Sequence, residues 1–174
     1  SNQVGTDGKY TISVAATAKA PFVIVATRTA ASGETTTLVS VANGLGNQTI
    51  NITPITTLIA ARLSPSGHPD KLATELANGT ATLTAAKIQE RVSEIQNLLA
   101  PLLAAAGVIA AHPLSDAFNA DGAGYDRLLD SLMITITPVS ESATSIEVAV
   151  RSEGAQSPLE PFRSDVPTLP SLPS

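Results

Sequence analysis

The chain contains no cysteine and no tryptophan, and it has few charged or aromatic residues. Aromatic side chains make up 3% and charged side chains 14% of its 174 residues. Without cysteine, neither thiol catalysis nor a thiolate metal site can exist, although the absence does not indicate a compartment. The hydrophobic content is 43%. The core must therefore consist mainly of Val, Ile, Leu and Ala.

A cluster of basic residues is also missing. The chain has 10 Lys and Arg against 15 Asp and Glu, which gives a formal net charge of −5. Binding to nucleic acid without sequence preference needs a Lys/Arg patch that displaces phosphate counterions. A polybasic contact with a membrane surface needs the same feature. We therefore expect no nucleic-acid partner and no polybasic membrane attachment.

No apolar run is long enough to cross a membrane. The longest such run, residues 98–111, is interrupted by Pro101 and Gly107, and it is shorter than the roughly 18 residues that a span requires. The first residues carry neither a positively charged region nor an apolar one, so we expect no signal peptide in them.

Alternating and β-branched segments predict strands within residues 8–53. The segments are residues 11–14, 21–26, 36–41 and 49–53. A further alternating pair predicts a hairpin over residues 133–151. A lone hairpin is barely stable in water, so we expect this hairpin to join the N-terminal sheet.

Between these strand regions the hydrophobic spacing becomes helical, beginning with Thr53 as a helix cap and Pro54 at the first helical position. Predicted helices cover residues 54–63, 69–78, 84–106 and 126–132. The fold class is therefore α+β, a small antiparallel sheet or partial β-sandwich with a three- to four-helix insertion packed on one face. Residues 1–153 form one predicted domain, and residues 154–174, with five prolines, form a Pro-rich tail or linker.

The stretch DAFNADGAGYD, residues 116–126, is the most suggestive candidate site. Asn119, Asp121 and Gly122 match positions 3, 5 and 6 of a calcium-binding loop, but position 12 is not a carboxylate. The candidate calcium ligands are Asp116, Asn119, Asp121 and Asp126. A plain glycine-containing turn explains the same residues, and calcium is the only cofactor that the sequence suggests.

Catalytic patterns are missing from the sequence. No G-x-S-x-G elbow occurs, and both histidines, His68 and His112, precede proline. A residue before proline favours extended or turn backbone, so we expect two exposed loop histidines and no catalytic triad. We predict that the chain is not an enzyme.

The segments TDGKYTISV and PFVIVATR resemble the closing strands of the carboxypeptidase regulatory-like (transthyretin-like) β-sandwich. Downstream stretches, such as NITPITTLIAARL, are similar to those in uncharacterised secreted or lipoprotein-type proteins of Gram-negative bacteria. The resemblance implies an extracytoplasmic module, periplasmic, secreted or on the cell surface, without catalytic residues. The early strands of the sandwich are missing from this chain.

A sheet without its first strands exposes an edge that either aggregates or is paired. We therefore expect a non-enzymatic binding or structural module of a bacterial surface or secreted protein. It would associate with further copies or with a partner protein through an open sheet edge or its Pro-rich tail. The alternatives are a calcium- or small-ligand-binding domain that uses residues 116–126, and an accessory domain of a secreted hydrolase.

Overall fold

The computed structural model describes residues 2–108, 111–152, 155–158 and 161–171. Helices and strands alternate in blocks along the chain, as predicted, and the α+β class is confirmed. The elements are β1 (Phe22–Thr29), β2 (Thr35–Ala42), α1 (Pro54–Leu63), a 3-10 turn (Pro69–Lys71), α2 (Leu72–Ala77), α3 (Ala85–Ala105), α4 (Gly124–Ser131), β3 (Leu132–Ser140), β4 (Ala143–Ser152), β5 (Ala155–Pro158) and β6 (Phe162–Arg163).

The helices begin and end close to their predicted bounds because local signals fix them. At the start of α1, the Thr53 hydroxyl accepts the Thr56 N–H, and the Thr56 hydroxyl accepts the Thr53 N–H. This reciprocal capping satisfies two backbone donors that the helix itself leaves free. Across the described ranges, no helix is both long enough and apolar enough to span a bilayer.

The strands form two separate antiparallel sheets. One contains β1 and β2, and the other contains β3, β4 and β5, with β6 also paired to β4. The prediction that the hairpin of residues 133–151 joins the N-terminal sheet is therefore wrong. The hairpin instead gains its further strands from the C-terminal segment, since Ser157 pairs with Val150 and Phe162 with Ile146.

Two predicted strands are irregular in the structure. Residues 11–14 and 49–53 belong to no strand among the described residues. The Asn51 backbone N–H donates to the Leu114 carbonyl, and its side-chain amide donates to the carbonyl oxygens of Pro113 and Asp116. Residues around Asn51 thus bind a loop instead of a neighbouring strand. Alternation produces a strand only where another strand edge is available.

The core lies between the helices and the two sheets, with α1 at its centre. Helix α1 contacts β2, β3 and α3, and its residues Leu58, Ile59 and Ala60 are fully buried. Apolar residues recur at helical spacing along α3 and form a stripe that faces this core, where Val92 and Ile95 are fully buried. Helix α1 therefore links the two sheets, which share no strand.

The described part of the predicted tail packs against the rest of the chain. The Ser164 N–H donates to the Thr144 carbonyl (2.8 Å), and the Thr144 N–H donates to the Ser164 hydroxyl (2.9 Å). Gly67 lies beside this pair with φ at +72°, and a Cβ there would be 2.0 Å from the Ser164 hydroxyl oxygen. Only glycine permits this approach. The predicted division at residue 153 stays a prediction, because residues 153, 154, 159, 160 and 172–174 lie outside the described residues.

Candidate binding groove between the two sheets

The predicted calcium ligands lie in the loop before α4 and in its first turn. The carboxylates of Asp116, Asp121 and Asp126 each accept a backbone N–H from a residue nearby in sequence, at 2.7–3.0 Å. Asp121 and Asp126 both bond within the turn at Gly122, whereas Asp116 bonds to His112; Asn119 is exposed. Across the described ranges, no three His, Cys, Asp or Glu side chains converge as a metal site. Calcium binding stays a prediction.

Tyr125 follows this loop, and its hydroxyl has the most strongly shifted pKa among the described residues. Its ring contacts Phe118 edge to face, with ring centroids 5.1 Å apart. Burial first, and the negative charge of Asp116 second, raise the pKa of the Tyr125 hydroxyl well above its usual range. The hydroxyl therefore stays protonated at physiological pH.

The two histidines are in different surroundings. His68 is buried, contrary to the expectation of an exposed loop, and its Nε2 lies 3.0 Å from the Ser140 carbonyl oxygen. His112 Nδ1 lies 3.1 Å from the Ser115 hydroxyl. His68 thus connects the turn after α1 to the end of β3. Its own backbone is extended, as Pro69 after it favours.

A groove of about 370 Å³ lies between the two sheets. One wall is β2, through residues 36–39, and the other is β3. The β3 side chains that line it are Ile134, Ile136 and Pro138. Further lining residues come from α1, from the 3-10 turn and the residue before it, and from β4: Pro54, Thr57, His68, Pro69, Asp70 and Thr144.

Backbone groups on the β2 side of this groove are directed away from β1. Hydrogen bonds in an antiparallel pair alternate, so every second residue turns its N–H and C=O outward. Val39 is one such residue, because its N–H donates to the Thr57 hydroxyl and its C=O accepts the Thr56 hydroxyl, both at 2.9 Å. Thr37, two residues earlier, therefore also directs its N–H and C=O away from β1, on the groove side.

On the β3 side of the groove, backbone groups are likewise directed away from the neighbouring strand, which here is β4. Thr144 uses its N–H and C=O to bond with Ser164, and its register partner on β3 is Pro138, which has no N–H. Pro138 and Thr144 are therefore a pair without hydrogen bonds between them. Because such pairs occur at every second residue, Ile134 and Ile136 also form no backbone hydrogen bonds with β4. Their N–H and C=O groups face away from β4. In the described part of the chain, no strand pairs with either of these edges.

Sequence reasoning did not find this groove, since it depends on strands almost a hundred residues apart. One local signal was available. Pro138 lies within a strongly alternating segment, and proline inside a strand is confined to edges and bulges. That residue marks β3 as an edge strand, but it does not indicate what faces the edge.

No known family model matches the chain, and neither a curated protein nor a solved structure is significantly similar to it. The resemblance to the carboxypeptidase regulatory-like sandwich therefore stays a prediction. The function has to be inferred from the residues of the groove.

Proposed function

We propose that the chain is a non-enzymatic, extracytoplasmic binding module of a bacterial surface or secreted protein, and that it holds an extended polypeptide in the groove between β2 and β3. The extracytoplasmic setting rests on the family resemblance. The binding mode is supported by one observation, that two strand edges with which no further strand of the described residues pairs line the same groove.

Strand addition is the chemistry that suits two such edges. An extended segment between them can exchange main-chain hydrogen bonds with Thr37 on one side and with Ile134 and Ile136 on the other. Four residues of β2 line the groove, which at roughly 3.3 Å per residue corresponds to about 13 Å of strand. Among the described residues that line it, Asp70 is the one acidic residue, and none is Lys or Arg. The groove therefore favours a neutral or mildly basic segment of about four residues.

The proposal is tested with two matched proline variants. Thr37→Pro removes an N–H that faces the groove, whereas Thr27→Pro removes the N–H of its register partner on the outer edge of β1. Neither N–H belongs to the β1–β2 ladder, so both variants should keep the fold, which circular dichroism checks. The probes are fluorescent seven-residue peptides of alternating Thr and Val, in neutral, Lys-containing and Glu-containing forms.

We expect the neutral and Lys-containing peptides to bind the unchanged protein and Thr27→Pro alike, and Thr37→Pro at least tenfold more weakly. A second measurement needs no protein variant. Methylation of alternate backbone nitrogens in the peptide, with its side chains unchanged, should abolish binding. The proposal fails if no peptide binds, or if Thr37→Pro and Thr27→Pro bind equally well.

A further inference from the structure

Residues 11–14 have the sequence of a strand but no strand partner among the described residues. We name these residues, Thr-Ile-Ser-Val, the donor segment. Both of its apolar side chains are well exposed, Ile12 at 49% and Val14 at 49%. Because alternation puts them on one face, the segment presents a short apolar stripe to solvent. Its Thr11 carbonyl accepts the Asn2 side-chain amide, and no strand among the described residues pairs with its backbone.

The donor segment is held outside the groove of its own copy. The Tyr10 hydroxyl, one residue before it, donates to the Ile50 carbonyl at 2.5 Å. After it, the chain leads into β1, the strand on the far side of β2 from the groove. Among the described residues, none before Thr36 lines the groove. The segment is thus bonded to the rest of its chain next to one end and exposed to solvent, where another molecule can reach it.

The donor segment matches the groove in length, polarity and charge. Its four residues equal the four residues of β2 that form one wall. Its apolar face, Ile12 and Val14, can lie against Ile134 and Ile136, while Thr11 and Ser13 stay near solvent. The segment itself is uncharged, and Lys9 just before it lies 3.8 Å from the Asp7 carboxylate, so this flank adds no net charge. An uncharged segment suits a groove in which Asp70 is the one acidic residue among the described lining residues.

We infer that the groove between β2 and β3 binds the donor segment of a second copy of this chain; this inference rests on the proposed function. Each copy then carries one donor segment and one groove at different places on its surface. Such a contact is heterologous, and it produces open filaments unless the rotation between copies closes a ring.

The test uses single cysteines, which are unambiguous because the chain has none of its own. Protein carrying Thr37→Cys is mixed with protein carrying Thr11→Cys or Ser13→Cys under mild oxidation. Thr27→Cys, exposed on β1 opposite Thr37, replaces Thr37→Cys in the matched control. We expect disulfide-linked heterodimers to form at least tenfold faster with Thr37→Cys than with Thr27→Cys for one of the two donor positions.

Light scattering over a concentration series gives a second readout. The unchanged chain should form oligomers that Ile12→Asp reverses to monomers, while Val4→Asp, which changes an exposed residue outside the donor segment, leaves them intact. The inference is overturned if cross-linking is no faster than in the control, or if Ile12→Asp leaves the oligomers intact. It is also overturned if a dilute double variant, Ser13→Cys with Thr37→Cys, closes its disulfide within one monomer.

The two proposals can fail separately. If the alternating peptides bind the groove but the copies do not cross-link, the groove accepts polypeptide and only its occupant is wrongly identified. If the peptides do not bind and the copies do not cross-link, the groove is not a binding site and both proposals fall.

Discussion

At the scale of single residues, Tyr125 combines a buried hydroxyl with a raised pKa. Its side chain is 9% exposed, and its hydroxyl is buried without a hydrogen-bond partner in the described part of the structure. A buried hydroxyl without a partner costs free energy that an apolar ring of the same shape would avoid. The ring packs against Phe118, so the residue contributes its aromatic surface rather than its polar atom.

Tyr125→Phe should therefore keep or raise the free energy of unfolding at pH 7, and it should reduce the loss of stability in alkali. The pKa of Tyr125 is raised in the folded state, whereas the tyrosine of the unfolded chain ionises near its ordinary pKa of about 10. The folded state is therefore destabilised relative to the unfolded chain as the pH rises above that value, and this loss is absent at lower pH. We expect the unchanged protein to lose about 1 kcal/mol more than the variant between pH 7 and pH 11.

Urea unfolding at the two pH values measures this difference. Tyr10→Phe is the matched control, because burial also raises the pKa of Tyr10 but its hydroxyl donates to the Ile50 carbonyl. That variant should lose about 1 kcal/mol already at pH 7. Equal alkaline losses in the unchanged protein and in Tyr125→Phe would contradict the assignment.

At the scale of elements, helices could be predicted and strand pairing could not. The cap at Thr53 and the apolar stripe of α3 are local patterns, and both lie where they were expected. Residues 11–14 alternate as clearly as the strand residues of β3, yet only β3 finds a partner. The groove was beyond prediction for the same reason, because its walls come from two sheets that are distant in sequence.

Two hydroxyls of α1 bond to Val39 of β2: the Thr56 hydroxyl donates to its C=O, and the Thr57 hydroxyl accepts its N–H. Thr57→Val keeps the side-chain shape but leaves the buried N–H of Val39 without its acceptor. We expect the free energy of unfolding to fall by about 1–3 kcal/mol. The control Thr135→Val, at an exposed strand position, should change it by less than about 0.5 kcal/mol.

Thermal unfolding of both variants measures the difference, and amide exchange of Val39 reports on the contact itself. That amide should exchange faster in Thr57→Val than in the unchanged protein. If Thr57→Val and Thr135→Val are equally stable, the hydroxyl does not hold β2 against α1.

At the scale of the whole molecule, one guanidinium connects three distant segments. Arg62 at the end of α1 forms a two-point ion pair with Glu94 of α3, with Nη2 and Oε1 2.7 Å apart and Nε and Oε2 3.2 Å apart. Its Nη1 donates to the Ser164 carbonyl. The Arg62 side chain is only 4% exposed. Glu94 also pairs with Arg91, whose Nη1 lies 2.9 Å from its Oε2. Removing Arg62 therefore leaves the largely buried carboxylate with one of its two partners and the Ser164 carbonyl without this donor.

Arg62→Met should therefore lower the free energy of unfolding by about 1–3 kcal/mol. The double variant Arg62→Met with Glu94→Leu should recover part of that loss, since it also removes the largely buried carboxylate, while Arg91 keeps its contact with Glu90. Urea unfolding of the two single variants and the double variant forms a double-mutant cycle. Lys71→Met, at the exposed pair with Glu141, is the control and should cost less than about 1 kcal/mol. A double variant no more stable than Arg62→Met would contradict a charge-based role.

The bond between Arg62 and Ser164 spans 102 residues, and this separation bears on how the chain is made. A ribosome adds roughly 5–20 residues per second from the N-terminus, so Ser164 is synthesised about 5–20 seconds after Arg62. During that time the side of β4 that later receives Phe162 is open. Translation that stops before residue 162 therefore yields a nascent chain with an uncovered strand, a species that aggregates readily and that chaperones would need to shield.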